Sequence, residues 1–221
     1  MNFNLPDPLT LIVLTAVLSL APFFAVMMTS YVKLVVVLSL VRNALGVQQI
    51  PPNLVINGLA IILSVYIMAP VATATFAQVE KEDLSKLDAA TIQRVLTKAQ
   101  EPILGFLQRH TNEREKRFFL DTTRKLWSKE AAATVDKDSF LILVPAFTVT
   151  ELTSAFQIGF LLYLPFIAID LIVSNILLAM GMMMVSPMTI SLPFKLLLFV
   201  LVDGWTRLIH GIVLTYAGAG G

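Results

Sequence analysis

The chain has 221 residues, of which 57% are hydrophobic and 14% are charged. Soluble domains carry about 25% charged residues, so this composition excludes a protein whose surface is mainly wetted. The net charge of +1 provides no strong basic patch for nucleic acid, and the lack of cysteine excludes disulfides and thiolate metal sites.

Charge divides the sequence into three segments. Of the 31 charged residues, 23 lie between Glu80 and Asp138, three precede them and five follow. We therefore predict an all-α, membrane-associated fold built from kinked helical hairpins. It comprises an N-terminal hydrophobic helical hairpin over residues 1–79, a polar helical domain over 80–138, and a C-terminal hydrophobic arm of broken helices over 139–221.

The N-terminal segment contains two long apolar stretches that read as helices. Residues 9–28 carry no charge, and about 20 apolar residues suffice for a helix to span a bilayer. Residues 32–41 continue the apolar character with Lys33 set inside it, and residues 42–46 are expected to end that helix. The tandem prolines Pro51 and Pro52 then predict a stiff turn into a second, uncharged stretch over 54–79.

The polar segment is predicted to hold three helices. Asp88 is expected to cap a helix that begins at Ala89. Pro102 predicts a new helix start, because proline suits the first position of a helix. Residues 113–127 form the third helix, and their alternating charges indicate a solvated face.

Two basic residues indicate the orientation of the first hairpin. Lys33 and Arg42 follow the first apolar stretch, and basic residues favour the cytoplasmic side of a membrane. The polar segment is then expected in the periplasm of a bacterium.

The C-terminal arm is apolar but rich in proline. Residues 152–169 and 171–194 carry no charge and are separated only by Asp170. Broken helices survive at membrane depth only when they pack against protein or line a wet cavity, which indicates assembly with other chains. The prolines expected to break the arm are Pro145, Pro165, Pro187 and Pro193.

Isolated charges within the apolar arms are the candidate structural or assembly residues. Such charges are usually paired or face a wet interior, and Asp203 and Arg207 have the i, i+4 spacing of a helical ion pair. A protease dyad of Asp170 and Asp203 is the catalytic alternative. No catalytic motif or metal-binding pattern accompanies it, so we expect no enzyme activity, cofactor or metal. The candidates are Lys33, Arg42, Glu151, Asp170, Lys195, Asp203 and Arg207.

A methionine-rich run lies between residues 180 and 187 and contains Met182, Met183 and Met184. Methionine fills irregular gaps in cores, so a packed core is one interpretation. Gly181 and Pro187 favour a loop instead, and flexible thioethers on a loop suit a seal that yields to a passing chain. The residues by themselves leave gate and core equally open.

Long stretches of the chain resemble the SctR/FliP family, the core export-apparatus subunits of type III secretion systems. The resemblance favours the injectisome (SctR) branch and covers nearly the whole chain outside the polar segment. The matching stretches are residues 29–37, 42–53, 145–152, 155–160, 164–170, 180–187, 190–195 and 199–205.

This resemblance implies a pore-forming subunit that passes unfolded proteins across the bacterial inner membrane. It implies a homopentamer that joins the smaller S and T subunits (FliQ-like and FliR-like) and U and V type subunits, in contact with lipid. It assigns Met182, Met183 and Met184 to a gasket that narrows the pore. It also implies that the apolar helices serve as subunit contacts rather than as spans facing lipid.

A different class of function is a small-solute transporter or ion channel that works alone. Such proteins are commonly built from internal repeats, and the two apolar arms show no convincing repeat.

Overall fold

The computed structural model of the chain describes residues 8–47, 49–80 and 89–217, and all the regular structure in these ranges is helical. The predicted all-α fold is confirmed. The helices are α1 (Pro8–Met27), α2 (Tyr31–Ala44), α3 (Asn53–Glu80), α4 (Ala89–His110), α5 (Glu113–Leu126), α6 (Lys129–Ala133), α7 (Phe140–Ala179), α8 (Pro187–Leu201) and α9 (Gly204–Ala217).

The turn between α2 and α3 forms where the sequence predicts it. Gly46 adopts a φ of 78°, a left-handed conformation that glycine accepts without a Cβ clash, and the chain leaves the helix there. The Arg42 side chain then bridges the turn, because its Nη1 donates to Asn53 Oδ1 at 2.5 Å and to the carbonyl oxygen of Pro51 at 3.3 Å. A basic residue in the last turn of α2 also suits the negative end of the helix dipole.

In the polar segment, α5 begins where the sequence predicts it, whereas the predicted break within α4 is absent. Asn112 caps α5 by accepting a hydrogen bond from the Arg114 amide at 2.9 Å. The predicted new start at Pro102 is wrong, because α4 runs through it without interruption. Beyond that proline, Phe106 and Leu107 are buried against other helices, and this packing outweighs the single backbone hydrogen bond that a proline removes. The predicted cap Asp88 lies outside the described residues.

The C-terminal arm is less broken than its prolines predict. Pro145 and Pro165 both lie inside α7, a continuous helix of 40 residues, and Pro193 lies inside α8. In an apolar environment every further unpaired backbone group is costly, so a helix that loses one bond per proline is favoured over an open break. Of the four prolines, only Pro187 marks a boundary, as the first residue of α8.

α2 lies at the centre of the fold and packs most extensively against α7. At Gly159 of α7 an added Cβ would lie 2.3 Å from Leu40 Cδ1, so the missing side chain permits the close approach of the two helices. The cluster around α2 draws on α3, α7, α8 and α9. Its buried members are Leu34, Val37, Leu38, Val41, Ala44, Leu45, Ile56, Ala60, Ala155, Phe166, Phe199, Leu208 and Ile212.

A second apolar cluster joins the polar segment to the apolar arms. Phe106 and Leu107 of α4 pack with Leu143 and Phe147 of α7 and with Val71 of α3. The polar segment therefore shares its core with the long helices.

Two described helices, α3 and α7, are long and apolar enough to cross a membrane. α8 and α9 together would make a third span, bent by 61° at the break between them. The bend lies at Asp203, whose φ of 53° is unusual for a residue with a side chain.

Candidate functional site

The methionine run forms the exposed connection between α7 and α8. α7 ends in a Schellman motif: the Gly181 amide donates to the Leu178 carbonyl at 3.0 Å and the Met182 amide to the Leu177 carbonyl at 2.9 Å. Gly181 supplies the required positive φ of 72°. The exposed fractions of Met182, Met183 and Met184 are 42%, 81% and 101%. Their side chains therefore lie outside the core of this chain.

Close to this loop, α7 and α8 are joined by polar side chains. Lys195 Nζ lies 2.6 Å from Asp170 Oδ2, and Ser191 Oγ donates to Asp170 Oδ1 at 2.6 Å. Lys195 also donates to the carbonyl oxygen of Ala44, the last residue of α2, at 3.2 Å. The side chain of Lys195 is 3% exposed, whereas that of Asp170 is 33% exposed. We call Asp170, Ser191 and Lys195 the outer polar cluster.

A second polar group lies deeper, between α2, α7 and α9. Lys33 Nζ lies 2.8 Å from Glu151 Oε1, and the two side chains are 5% and 1% exposed. The Tyr216 hydroxyl donates to Glu151 Oε2, and Lys33 Nζ lies 4.2 Å from the centre of the Tyr216 ring. Both carboxylate oxygens are thus engaged, and the ammonium gains a cation–π contact. We call Lys33, Glu151 and Tyr216 the inner polar cluster.

Aromatic side chains from α4 cover the inner polar cluster. His110 lies with its ring centre 5.1 Å from that of Tyr216 and 4.6 Å from that of Phe106. Burial, together with the positive charges of Lys33 and Arg109, lowers the pKa of His110 to about 4. The imidazole is therefore neutral at pH 7.

The polar segment has its own ion pairs, formed around the largely buried Lys116. Lys116 Nζ lies 3.0 Å from Glu113 Oε1 and 3.5 Å from Asp138 Oδ1. The hydrogen bond and positive charge of Lys116 lower the pKa of Glu113, and these acids raise the pKa of Lys116 against its partial burial. These contacts hold α5 to the chain that leads into α7.

Asp203 and Arg207 do not form the predicted side-chain ion pair in the part of the chain that the structure describes. Asp203 occupies the α8–α9 break, and its backbone carbonyl accepts from the Arg207 amide at 3.0 Å. Because Asp203 lies outside the regular helix, the i, i+4 spacing does not bring the two side chains together. Both side chains are exposed.

The proposed protease dyad finds no support in the geometry. The two carboxylate oxygens of Asp170 accept hydrogen bonds from Ser191 and Lys195. Among the described residues, Asp170 and Asp203 share no hydrogen bond. The described residues also contain no group of three histidine and acidic side chains arranged to hold a metal ion.

Sequence reasoning singled out most of these charges but missed part of their pairing. It listed Lys195 and Asp170 as candidates but paired Asp203 with Arg207, and it did not pair Lys33 with Glu151. Ser191 and Tyr216 were not identified at all, because a hydroxyl in an apolar helix carries no signal of its own. The available indication that Lys33 and Glu151 meet was that they are charges of opposite sign, each within a mostly apolar helix.

Comparison with known proteins covers nearly the full chain. The model of the FliP family matches residues 13–212. The chain is 58% identical over 215 residues to Yop proteins translocation protein R of Yersinia pestis, covering 97% of this chain and 99% of that protein. It is 50% identical over 209 residues to hypersensitivity response secretion protein HrcR of Ralstonia nicotianae, covering 94% and 96%. It is 48% identical over 215 residues to virulence protein YscR of Salmonella typhimurium, covering 97% and 100%.

Proposed function

The chain belongs to the FliP family, and from this premise we propose that it is a pore-forming core subunit of a type III secretion export apparatus. In this role it passes unfolded proteins across the bacterial inner membrane. Its relatives are named as translocation, secretion and virulence proteins, which supports the injectisome branch over the flagellar one. The observation that carries the proposal is the exposed methionine loop at the α7–α8 connection.

The chemistry of the loop suits a seal around a moving polypeptide. Met182, Met183 and Met184 are unbranched and flexible, so they adapt to side chains of different size. Their thioethers are weak hydrogen-bond acceptors and do not retain a passing backbone. The Schellman motif fixes the loop on the end of α7 while its side chains project freely. We propose that these three residues form the gate of the pore.

The surface of the chain supports assembly into a homopentamer with smaller S and T subunits, and with U and V type subunits. Large apolar side chains are exposed along α3 and along the second half of α7, including Ile62, Tyr66, Phe160, Leu161 and Ile172. Continuous apolar surfaces of this kind mark contact with protein or lipid. A single subunit holds one methionine loop, so several copies are required to surround a pore.

Charge and helix length support the proposed placement in the membrane. α3 and α7 are long enough to span the bilayer, and the family resemblance assigns part of their surface to subunit contacts. Arg42 lies at the α2–α3 turn and supports the cytoplasmic side for it. The polar segment, residues 80–138, is then periplasmic, between apolar segments at 1–79 and 139–221.

Native mass spectrometry tests the assembly. The full chain is purified in detergent, alone and after co-expression with candidate S and T subunits from one secretion system. A five-copy ring that recruits the smaller subunits is the expected result. A monomer or dimer that ignores those partners would contradict the proposal and favour a small-solute transporter that acts alone.

Ion leakage tests the gate. Met182, Met183 and Met184 are replaced together by alanine, which shortens the three side chains without adding charge. Membranes that contain the assembled complex should then leak ions while the amount of complex stays at the wild-type level. Met188→Ala is the matched control, since Met188 is also exposed but lies in α8. Tight membranes in the triple variant would rule out the gate.

A further inference from the structure

We propose that Asp170, Ser191 and Lys195 position the methionine loop, by holding the loop end of α8 against α7. This inference rests on the proposed gate function only for its consequence, ion leakage. The positioning itself is a property of the chain.

The methionine loop makes few contacts of its own. Met183 and Met184 are almost fully exposed, and an added Cβ at Gly181 would meet nothing within 4 Å. The loop backbone is attached to α7 by the Schellman motif and to α8 through Pro187. The position of the loop therefore depends on where α8 lies relative to α7.

α8 is a helix of 15 residues with a break in the helical backbone at each end. One end is the methionine loop and the other is the 61° bend at Asp203. Regular backbone hydrogen bonding is interrupted at both places, so α8 moves as a unit unless its side chains hold it.

Three buried side chains hold α8 against the rest of the chain. They are Ser191, Lys195 and Phe199, spaced by four along one side of the helix. Phe199 lies near the bend and packs on Phe166 and Trp205. The two buried residues nearer the loop are both polar, and both bind Asp170.

Apolar packing near the loop is incomplete. An apolar groove of about 390 Å³ lies between α7 and α8 there. Val173 and Leu177 of α7 are buried along this groove, whereas Ile172, Ile176, Ile190 and Phe194 are exposed. The hydrogen bonds to Asp170 are therefore directional contacts that hold the loop end of α8 against α7 where the apolar contact is only partial.

The attachment also reaches the centre of the fold. Lys195 Nζ donates to the Ala44 carbonyl at the end of α2, and that carbonyl belongs to the negative end of a helix dipole. Asp170 and Lys195 therefore fix the loop relative to α2 as well as to α7.

Spin-label distances test the positioning directly. The natural chain has no cysteine, so the substitutions Met183→Cys and Leu161→Cys place one label on the loop and one on an exposed position of α7. The labelled full chain is diluted with an excess of unlabelled chain, so that distances within one copy dominate. Double electron–electron resonance then gives the distribution of distances between the two labels, and so of loop positions.

The mildest variant is Ser191→Ala, which removes one hydrogen bond to Asp170 and leaves the ion pair in place. We expect about a tenfold rise in the displaced loop population, which corresponds to ~1.4 kcal/mol. Asp170→Asn should give a larger rise. Ser174→Ala is the matched control, because Ser174 lies one turn from Asp170 in α7 and shows no side-chain hydrogen bond within the described residues. It should leave the distribution unchanged.

A second label pair separates positioning from general loss of structure. Leu54→Cys and Leu161→Cys place both labels on exposed positions away from the loop. A broader loop distribution in Ser191→Ala, with the second pair unchanged, supports the proposal. An unchanged loop distribution, or equal broadening of both pairs, overturns it. If Asp170→Asn does not accumulate, Ser191→Ala decides the result.

Ion leakage of the same variants separates this inference from the proposed function. Leakage that rises together with loop displacement supports both. Loop displacement in membranes that stay tight supports the positioning role and contradicts the gate role of the methionines.

Discussion

The inner and outer polar clusters both place an ion pair inside apolar helices, and they differ in how completely the rest of the chain covers the acid. Lys33 and Glu151 are almost completely buried, with a tyrosine hydroxyl on the second carboxylate oxygen. In the outer cluster, Lys195 is equally buried but Asp170 remains a third exposed. The chain thus covers the acid of the inner cluster completely and leaves the acid of the outer cluster partly uncovered.

This difference changes what each cluster does for the chain. A fully buried pair that loses one partner leaves an uncompensated charge, so loss of either partner in the inner cluster should weaken the packing of α2, α7 and α9. In the outer cluster Lys195 has the Ala44 carbonyl oxygen as a second partner, so loss of the Asp170 charge should cost less.

Breaking the inner cluster should have the largest effect on stability. Glu151→Gln leaves Lys33 buried without a negative partner, so we expect a loss of about 3–5 kcal/mol in the free energy of unfolding. Thermal unfolding of the detergent-solubilised chain measures it. The double variant Lys33→Met, Glu151→Gln should recover part of the loss, because no buried charge remains. Equal stability of Glu151→Gln and wild type would contradict the comparison.

The corresponding change in the outer cluster should cost less. Asp170→Asn keeps an oxygen for Ser191 or Lys195, and Lys195 also keeps the Ala44 carbonyl oxygen. A loss of about 1.5–3 kcal/mol is therefore expected, as for a hydrogen bond to a charged group. The same unfolding measurement applies. A loss as large as that of Glu151→Gln would show that the remaining partners of Lys195 do not reduce the effect.

A change in the apolar contact beside the inner cluster separates packing from charge. Gly159→Ala places a Cβ against Leu40, and such overpacking costs about 1–3 kcal/mol. Leu40 is a flexible side chain, so the lower half of that range is expected. Gly58→Ala in α3 is the control, since an added Cβ meets nothing within 4 Å there and alanine favours the helix by about 0.5–1 kcal/mol. Opposite changes in thermal stability are expected from the two variants.

The smallest effect concerns pH and the histidine over the inner cluster. Burial and nearby Lys33 and Arg109 lower the pKa of His110 from 6.5 to about 4. The unfolded chain binds a proton in this range and the folded chain does not, so stability is full above pH 6.5 and falls as the pH drops towards 4. Unfolding of wild type and His110→Asn between pH 6.5 and 4 measures the contribution of His110 to stability.

Protonation of Glu113 gives a loss of the same sign, because its lowered pKa stabilises the folded chain only above the usual carboxyl range. His110→Asn should flatten the slope between pH 6.5 and 4, while Glu113→Gln should leave that part of the curve nearly unchanged. Identical slopes in wild type and His110→Asn would contradict the assignment.

The sequence was sufficient for the helices whose signals are local. Uncharged stretches predicted α1 and α3 to within a few residues, and the tandem prolines predicted the turn that follows α2. The break between α1 and α2 was not predicted. Alternating charge placed α5. Prolines misled where tertiary packing decides: Pro102, Pro145 and Pro165 all lie inside continuous helices, because the apolar neighbours of these helices outweigh one missing hydrogen bond each.

The polar clusters show the same division at the level of the site. Composition and signature stretches were enough to identify an all-α membrane protein of the FliP family, and a charge in an apolar stretch was enough to mark Lys33, Glu151, Asp170 and Lys195 as structural. Which charge meets which depends on residues far apart in the chain, such as Lys33 and Glu151. Hydroxyl partners, the groove beside α8 and the exposure of the methionines also arise only when the helices pack, since each is a property of distance between elements and of access to water.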